Sequence, residues 1–147
     1  MEDTGFSCAK EKVERLASLY EHHPKKGPVL VDPGGPKTSR IKKRKMLSGG
    51  GGLLSTITDY YRFSSMLLNQ GELDGNRIIG RKTLAMMAAN HLPDGKDLTE
   101  MSQSAFSETT YQGVGFGLGF SVILDPVKTQ SLTDVGEYGW GGAASTV

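Results

Sequence analysis

Tyr138-Gly139-Trp140-Gly141-Gly142-Ala143-Ala144-Ser145-Thr146-Val147 is the stretch on which the fold turns. Small residues dominate it, so a second backbone or a ligand can come very close. Its polar, β-branched end suits a strand. A Gly-Gly step beside an indole suits the wall of a site. The partner for such a strand lies upstream. In Gly113-Val114-Gly115-Phe116-Gly117-Leu118-Gly119-Phe120-Ser121-Val122-Ile123-Leu124, glycine alternates with large apolar residues at period two. This predicts one strand over 113–124, with a bulky face for a core and a bare face for close contact with a neighbouring element. Asp125-Pro126 ends it, 126–137 is a connection, and Gly136–Val147 is the antiparallel partner. A strand followed by no turn, cap or further strand predicts that the sequence is a piece of something longer.

The segments before this pair read as helices separated by loops. Val13, Leu16, Ala17, Leu19 and Tyr20 recur at helical spacing, predicting a helix over 8–22 with Thr4 or Ser7 as N-cap and Pro24 as its stop. Residues 24–52 form a long Gly/Pro/basic loop with a possible short strand at Val29-Leu30-Val31. The block Ser48-Gly49-Gly50-Gly51-Gly52-Leu53-Leu54-Ser55-Thr56 brings backbone close to a neighbour, and Ser55 or Thr56 caps a second helix with Asp59 in its first turn. Gly71 stops that helix, and Glu72–Arg77 turns at Asp74-Gly75. A third helix spans 81–91, with Leu84, Met87 and Ala88 inward. His91, like His22 and His23, reads as a dipole-favoured residue at a helix end rather than a base. Residues 93–112 are polar and loop-like.

The totals bound the answer. The 147 residues suffice for one domain, but at 37% hydrophobic and 20 Gly the chain has limited means to close a core alone. Charge is uneven. Residues 1–45 hold 11 Lys/Arg against 6 Asp/Glu, and the remainder 6 against 10, for a net charge of only +1. The basic run Arg40–Lys45 has no interleaved aromatic residue and reads as a solvated loop, not a nucleic-acid contact. Cys8 is the only cysteine, so there is no intrachain disulfide and no Cys-rich metal site; this suits a reducing compartment without assigning one. Met86 and Met87 read as core packing. No metal and no cofactor is expected. No apolar run approaches the ~20 residues of a membrane span, and no membrane partner is expected.

Catalytic patterns are sparse. The glycine block is not a phosphate loop, because no Lys-Ser/Thr follows at the required spacing, and Gly113–Gly119 never gives Gly-x-Gly-x-x-Gly. No Gly-x-Ser-x-Gly elbow and no His-Glu-x-x-His occurs. Ser7-Cys8-Ala9-Lys10 matches Ser-x-x-Lys, which on an α-helix puts amine and hydroxyl one turn apart so that the amine helps activate the nucleophile. Here it lies at an exposed helix start, and no Tyr-x-Asn or Ser-x-Asn completes it. It reads as a decoy.

The combination of motifs resembles the β-lactamase-like serine hydrolases: class C β-lactamases, the related penicillin-binding proteins and the family VIII carboxylesterases. The residues that carry the resemblance are Asp3-Thr4-Gly5-Phe6, the Ser48–Thr56 block with Asp59-Tyr60 and Phe63, Met66-Leu67-Leu68-Asn69, Gly71-Glu72-Leu73-Asp74-Gly75, Gly113–Phe120 and Tyr138-Gly139-Trp140-Gly141-Gly142. They run over nearly the whole chain. The resemblance implies an α/β chain of the α+β type: a partial β-lactamase/transpeptidase-like fold, helices packed on an incomplete antiparallel sheet, in a single truncated domain over 1–147. In the family the nucleophilic Ser, its Lys and the Tyr of the second motif precede the segment matching Asp3–Phe6, so the chain looks like the C-terminal half. Trp140-Gly141-Gly142 falls where relatives carry Lys-Thr-Gly, and its tryptophan looks like the esterase branch. Tyr138, Trp140, Gly141, Gly142 and Ala143 would line the substrate site. The Ala143 N–H would be one oxyanion donor, an interaction worth about 3–4 kcal/mol in other serine hydrolases. The implied partners are a small ester or amide substrate and the missing N-terminal half, with no nucleic acid. The alternatives are a non-catalytic remnant or interaction protein, and a binder of nucleic acid through Arg40–Lys45.

Overall fold

The computed structural model describes residues 1–41, 45–101 and 111–142. The chain forms two compact units, Met1–Ser65 and Met66–Val147. Its fold is α+β, with short helices and small sheets that are antiparallel throughout.

In the first unit a 3-10 helix, Lys10–Arg15, precedes the hairpin β1 (Leu19–His23) and β2 (Gly27–Asp32). The helix expected over 8–22 is not formed. Its first turn has Ala9 at the N-cap with no side-chain bond, and the chain is already extended at Leu16. Thr4 serves elsewhere. Beyond Leu16 non-local pairing wins over local period: Tyr20 stands opposite Leu30 and Glu21 opposite Val29. Pro24 therefore sits in a hairpin loop, closed by Lys26 N–H on the His23 carbonyl at 3.1 Å, and His22 and His23 lie in a strand rather than at a helix end. The short strand at Val29–Val31 falls within β2. Gly34 must be glycine: its φ is +66°, and a Cβ would stand 2.4 Å from the Leu16 carbonyl oxygen.

Asp59 ties this unit together. It lies in the first turn of α1 (Ile57–Leu68), and the Thr56 hydroxyl accepts its N–H at 3.2 Å as an N-cap. Its carboxylate accepts the amides of Glu2 (3.1 Å) and Asp3 (2.7 Å) and the Thr4 hydroxyl (2.8 Å). Burial pushes this carboxyl up, but the Asp3 amide, the Thr4 hydroxyl and the Glu2 amide hold it below the usual range. Gly5 and Leu54 then exchange two backbone hydrogen bonds at 3.0 and 2.9 Å. Gly52 passes under Phe6, with Phe6 Cδ1 3.2 Å from where a Cβ would be.

The second unit begins at Met66, within the last turn of α1. Gln70 and Gly71 turn to positive φ, and the Gly71 N–H reaches back to the Met66 carbonyl at 2.8 Å. β3 (Glu72–Leu73) and β4 (Asn76–Arg77) close on Asp74-Gly75, both at positive φ, as a two-residue hairpin demands. α2 (Arg81–Met87) buries Leu84. It stops short of the expected 91 because the Met87 carbonyl leaves the ladder to accept the Leu118 N–H at 2.8 Å. α3 (Leu98–Met101) starts inside the stretch expected to be loop. Asp97 and Glu100 cap each other there, each carboxylate accepting the other's N–H at 2.9 Å.

The stretch 113–124 is a hairpin, not one strand. β5 (Val114–Phe116) and β6 (Ser121–Ile123) pair antiparallel across a turn that Gly117 closes by donating to the Phe120 carbonyl at 2.7 Å. Gly119, at φ +102°, supplies the reversal. Residues 126–137 are more than a connection: α4 (Pro126–Thr129) is capped by Asp125, which accepts the Val127 and Lys128 amides. β7 (Tyr138–Gly139) then pairs with β6, giving the sheet order β5-β6-β7. The rest of the strand expected through Val147 includes 143–147, outside the described residues. Val114 and Val122 are buried in this sheet. Among the described residues no large side chain is fully enclosed, and Tyr20, Leu30, Val31, Ile57, Leu68 and Ile78 are exposed.

Candidate functional site

The sheet of the second unit is held from below by glycine. A Cβ at Gly115 would lie 2.6 Å from the Asn90 side chain, and one at Gly117 would lie 2.1 Å from the Met87 carbonyl oxygen. Asn90 is the junction. Its Oδ1 accepts the N–H groups of Phe116 and Leu92, both at 3.1 Å, and its Nδ2 donates to the Lys96 carbonyl at 3.0 Å. His91 completes the seam: its N–H donates to the Phe116 carbonyl at 2.8 Å, and its ring nitrogen donates to the Met86 carbonyl at 2.7 Å. The imidazole thus caps the end of α2 and is engaged as a structural group. Asp97 anchors the start of β5 by accepting the Gly113 N–H at 2.9 Å. Burial pushes its carboxyl up, but the Gly113 and Glu100 amides and the Lys128 charge hold it low.

This support carries an aromatic cluster at the end of β7. The Tyr138 ring meets Phe120 at 5.2 Å, tilted 64°, and burial pushes its phenol above the ordinary value. Trp140 meets Phe116 edge-on, with centroids 4.9 Å apart, and lies near-parallel to Tyr111 at 6.3 Å. It is still 48% exposed, and Gly141 and Gly142 beside it are exposed too. The structure therefore brings Tyr138, Trp140, Gly141 and Gly142 together on one continuous edge. Ala143 lies outside the described residues. This edge presents an aromatic surface and bare backbone.

Ser7 and Lys10 belong to the other unit. Lys10 opens the 3-10 helix while Ser7 lies in a bend before it, so the two do not share an α-helical face. Ser7 borders a cleft of about 170 Å³ with Cys8, Lys12, Arg15 and Leu54. Both cations in that cleft are committed to Asp3, Arg15 at 2.7 Å and Lys12 in close contact. Asp3 holds the Lys12 ammonium above its ordinary value, the wrong direction for a base. Tyr111, Phe116 and Asn90 escaped sequence reasoning. Phe116 was visible only as a bulky strand residue, and nothing near Tyr111 or Asn90 linked them to Trp140.

Comparison with known proteins finds a family match across the chain. The family model described as Beta-lactamase matches residues 1–147. Two proteins of Mycobacterium tuberculosis, Uncharacterized protein MT1414 of strain CDC 1551 / Oshkosh and Protein Rv1367c of strain H37Rv, are each 32% identical to it over 156 residues. The match takes in 99% of this chain and 35% of each relative, so the chain spans about a third of their length.

Proposed function

The chain belongs to the beta-lactamase family, and from that premise we propose that it supplies the acyl-site wall of a serine hydrolase that transfers an acyl group from an ester or amide. The observation that carries this reading is the Tyr138–Gly142 edge: an exposed indole, propped by two other rings, followed directly by bare backbone. Ala143, next along, is the proposed oxyanion donor. Its N–H would stabilise charge that develops only in the transition state. Trp140 shapes the pocket. An indole presents no positive charge, unlike a lysine in its place, so the site favours neutral acyl groups and thus an ester over an anionic β-lactam. The nucleophile, its base and the second donor come from elsewhere in the hydrolase, because Ser7 and Lys10 lack the geometry and the sequence has no Tyr-x-Asn.

The purified chain is expected to hydrolyse neither a short-chain p-nitrophenyl ester nor a chromogenic cephalosporin, alone or as Ser7→Ala. Mixing it with the part of the Mycobacterium tuberculosis relative that lies outside the match should produce ester turnover, and Trp140→Ala should abolish that turnover. Turnover by the chain alone that disappears in Ser7→Ala would sink the reading.

A further inference from the structure

We propose that Tyr111 and Phe116 are positioning residues for Trp140, and that the three rings together select a flat, aromatic acyl group. This deepens the acyl-wall reading and rests on it. The two props constrain different freedoms of the indole. Phe116 meets it at 88° and blocks lateral movement, whereas Tyr111, inclined by 29°, limits its tilt. Both distances fall in the range where ring quadrupoles favour offset or edge-on contact. The props are themselves fixed. The Phe116 backbone is held on both sides, by Asn90 and by the His91 N–H, and the Tyr111 carbonyl accepts the Val114 N–H at 3.2 Å.

Open surface lies beside this assembly. Phe116 pairs with Ser121 and Ser121 with Gly139, so the three form one row across the sheet, on one face. Among the described residues a Cβ at Gly139 would meet nothing within 4 Å. The row thus passes from the Phe116 ring to open space next to a half-exposed indole held at a set angle. A planar π-system can lie flat against the part of the indole that is left exposed. A branched aliphatic group touches the same surface at a few points.

Trp140 is the only tryptophan in the chain, so its emission in the intact protein reports this site and no other. Wild-type time-resolved anisotropy should show no fast local depolarisation. Phe116→Leu and Tyr111→Leu should shift emission to the red and raise acrylamide quenching, while Tyr111→Phe should retain wild-type behaviour. Titration with phenylacetamide should protect Trp140 roughly twofold to tenfold more tightly than 3-methylbutanamide, the span expected for one aromatic pair. A freely rotating wild-type indole, which needs no variant to detect, would overturn the inference, as would unchanged emission in both leucine variants. A fixed indole that binds the two amides equally overturns the aromatic selectivity. A fixed indole that binds neither also overturns the selectivity and leaves the positioning roles standing, whereas full ester turnover by the complemented Trp140→Ala chain is the result that overturns the acyl-wall reading.

Discussion

Two glycines of one sheet should respond oppositely to the same change. At Gly117, an alanine Cβ would stand 2.1 Å from the Met87 carbonyl oxygen and 2.8 Å from that of Ala89. Both obstacles are backbone, so no rotamer change relieves them. Reaching ordinary contact requires a backbone shift of about 1 Å. That shift strains the bonds from Leu118 N–H to Met87 (2.8 Å) and from Gly117 N–H to Phe120 (2.7 Å). Overpacking costs about 1–3 kcal/mol, and each weakened hydrogen bond adds up to about 1 kcal/mol. The expected loss for Gly117→Ala is about 3 kcal/mol, or roughly 10 °C in melting temperature for a chain of this size. Gly139→Ala is the control. Among the described residues its Cβ meets nothing within 4 Å and its backbone is that of a strand, so the change should lie within about 0.5 kcal/mol of wild type or stabilise slightly. Paired thermal and urea unfolding by circular dichroism measures both. Equal effects, or a Gly117→Ala variant as stable as wild type, would refute the claim that the bare face of β5–β6 seats on the end of α2.

Asp97→Ala should cost about 2 kcal/mol, since it removes an N-cap and strands the N–H of buried Gly113; urea unfolding with no such loss would show that neither contact matters. The carboxyls of Asp3, Asp32, Asp59 and Asp97 are all held low in the folded chain. Their contribution is therefore present above the unfolded value of about 3.9 and is lost as pH falls through the folded values. Stability should be flat from neutral pH to about 5 and fall steeply below about 4, and a decline that begins nearer pH 6 would refute this account. Leu84→Ala should cost about 2–3 kcal/mol, toward the lower end for a buried leucine, because this core is shallow enough to collapse around the gap. A thermal melt within 2 °C of wild type would place Leu84 outside the core.

What the sequence showed of the fold depended on whether the deciding contacts were local. The cap of α1 at Thr56, its stop at Gly71 and the Asp74-Gly75 corner are written in neighbouring residues, and all three are formed. The alternating glycines of 113–119 correctly foretold a close neighbour, since Gly113, Gly115 and Gly117 all lie against backbone or side chain. They did not reveal the turn inside the run, because the period-two pattern continues unbroken through Gly117-Leu118-Gly119 while the chain reverses. Leu19 and Tyr20 failed for the opposite reason. Their helical spacing is real, but partners at Asp32 and Leu30, ten or more residues away, take the strand. The Asp97–Glu100 box was legible and was passed over, since its helix is only four residues long.

The site divides in the same way. Trp140-Gly141-Gly142 is a contiguous string, so the proposal of a wall can start from the sequence alone. Tyr111 and Phe116 were not legible there, because nothing in their own neighbourhood distinguishes a ring that fills a core from one that props an indole. That distinction is made by topology. Two antiparallel reversals set Phe116, Ser121 and Gly139 in one row, and Asn90, from beyond the end of α2, sets the height of that row by holding the Phe116 N–H. A single change at Asn90 should therefore reach the indole without touching it. Asn90→Ala removes the acceptor for the Phe116 and Leu92 amides, so the edge-on contact should loosen and Trp140 emission should move to the red. Asn90→Asp keeps the acceptor but loses the donor to the Lys96 carbonyl, so its shift should be smaller than that of Asn90→Ala. If Asn90→Ala leaves Trp140 emission at the wild-type position, the sheet holds the indole without Asn90, and the route from α2 to the indole does not exist.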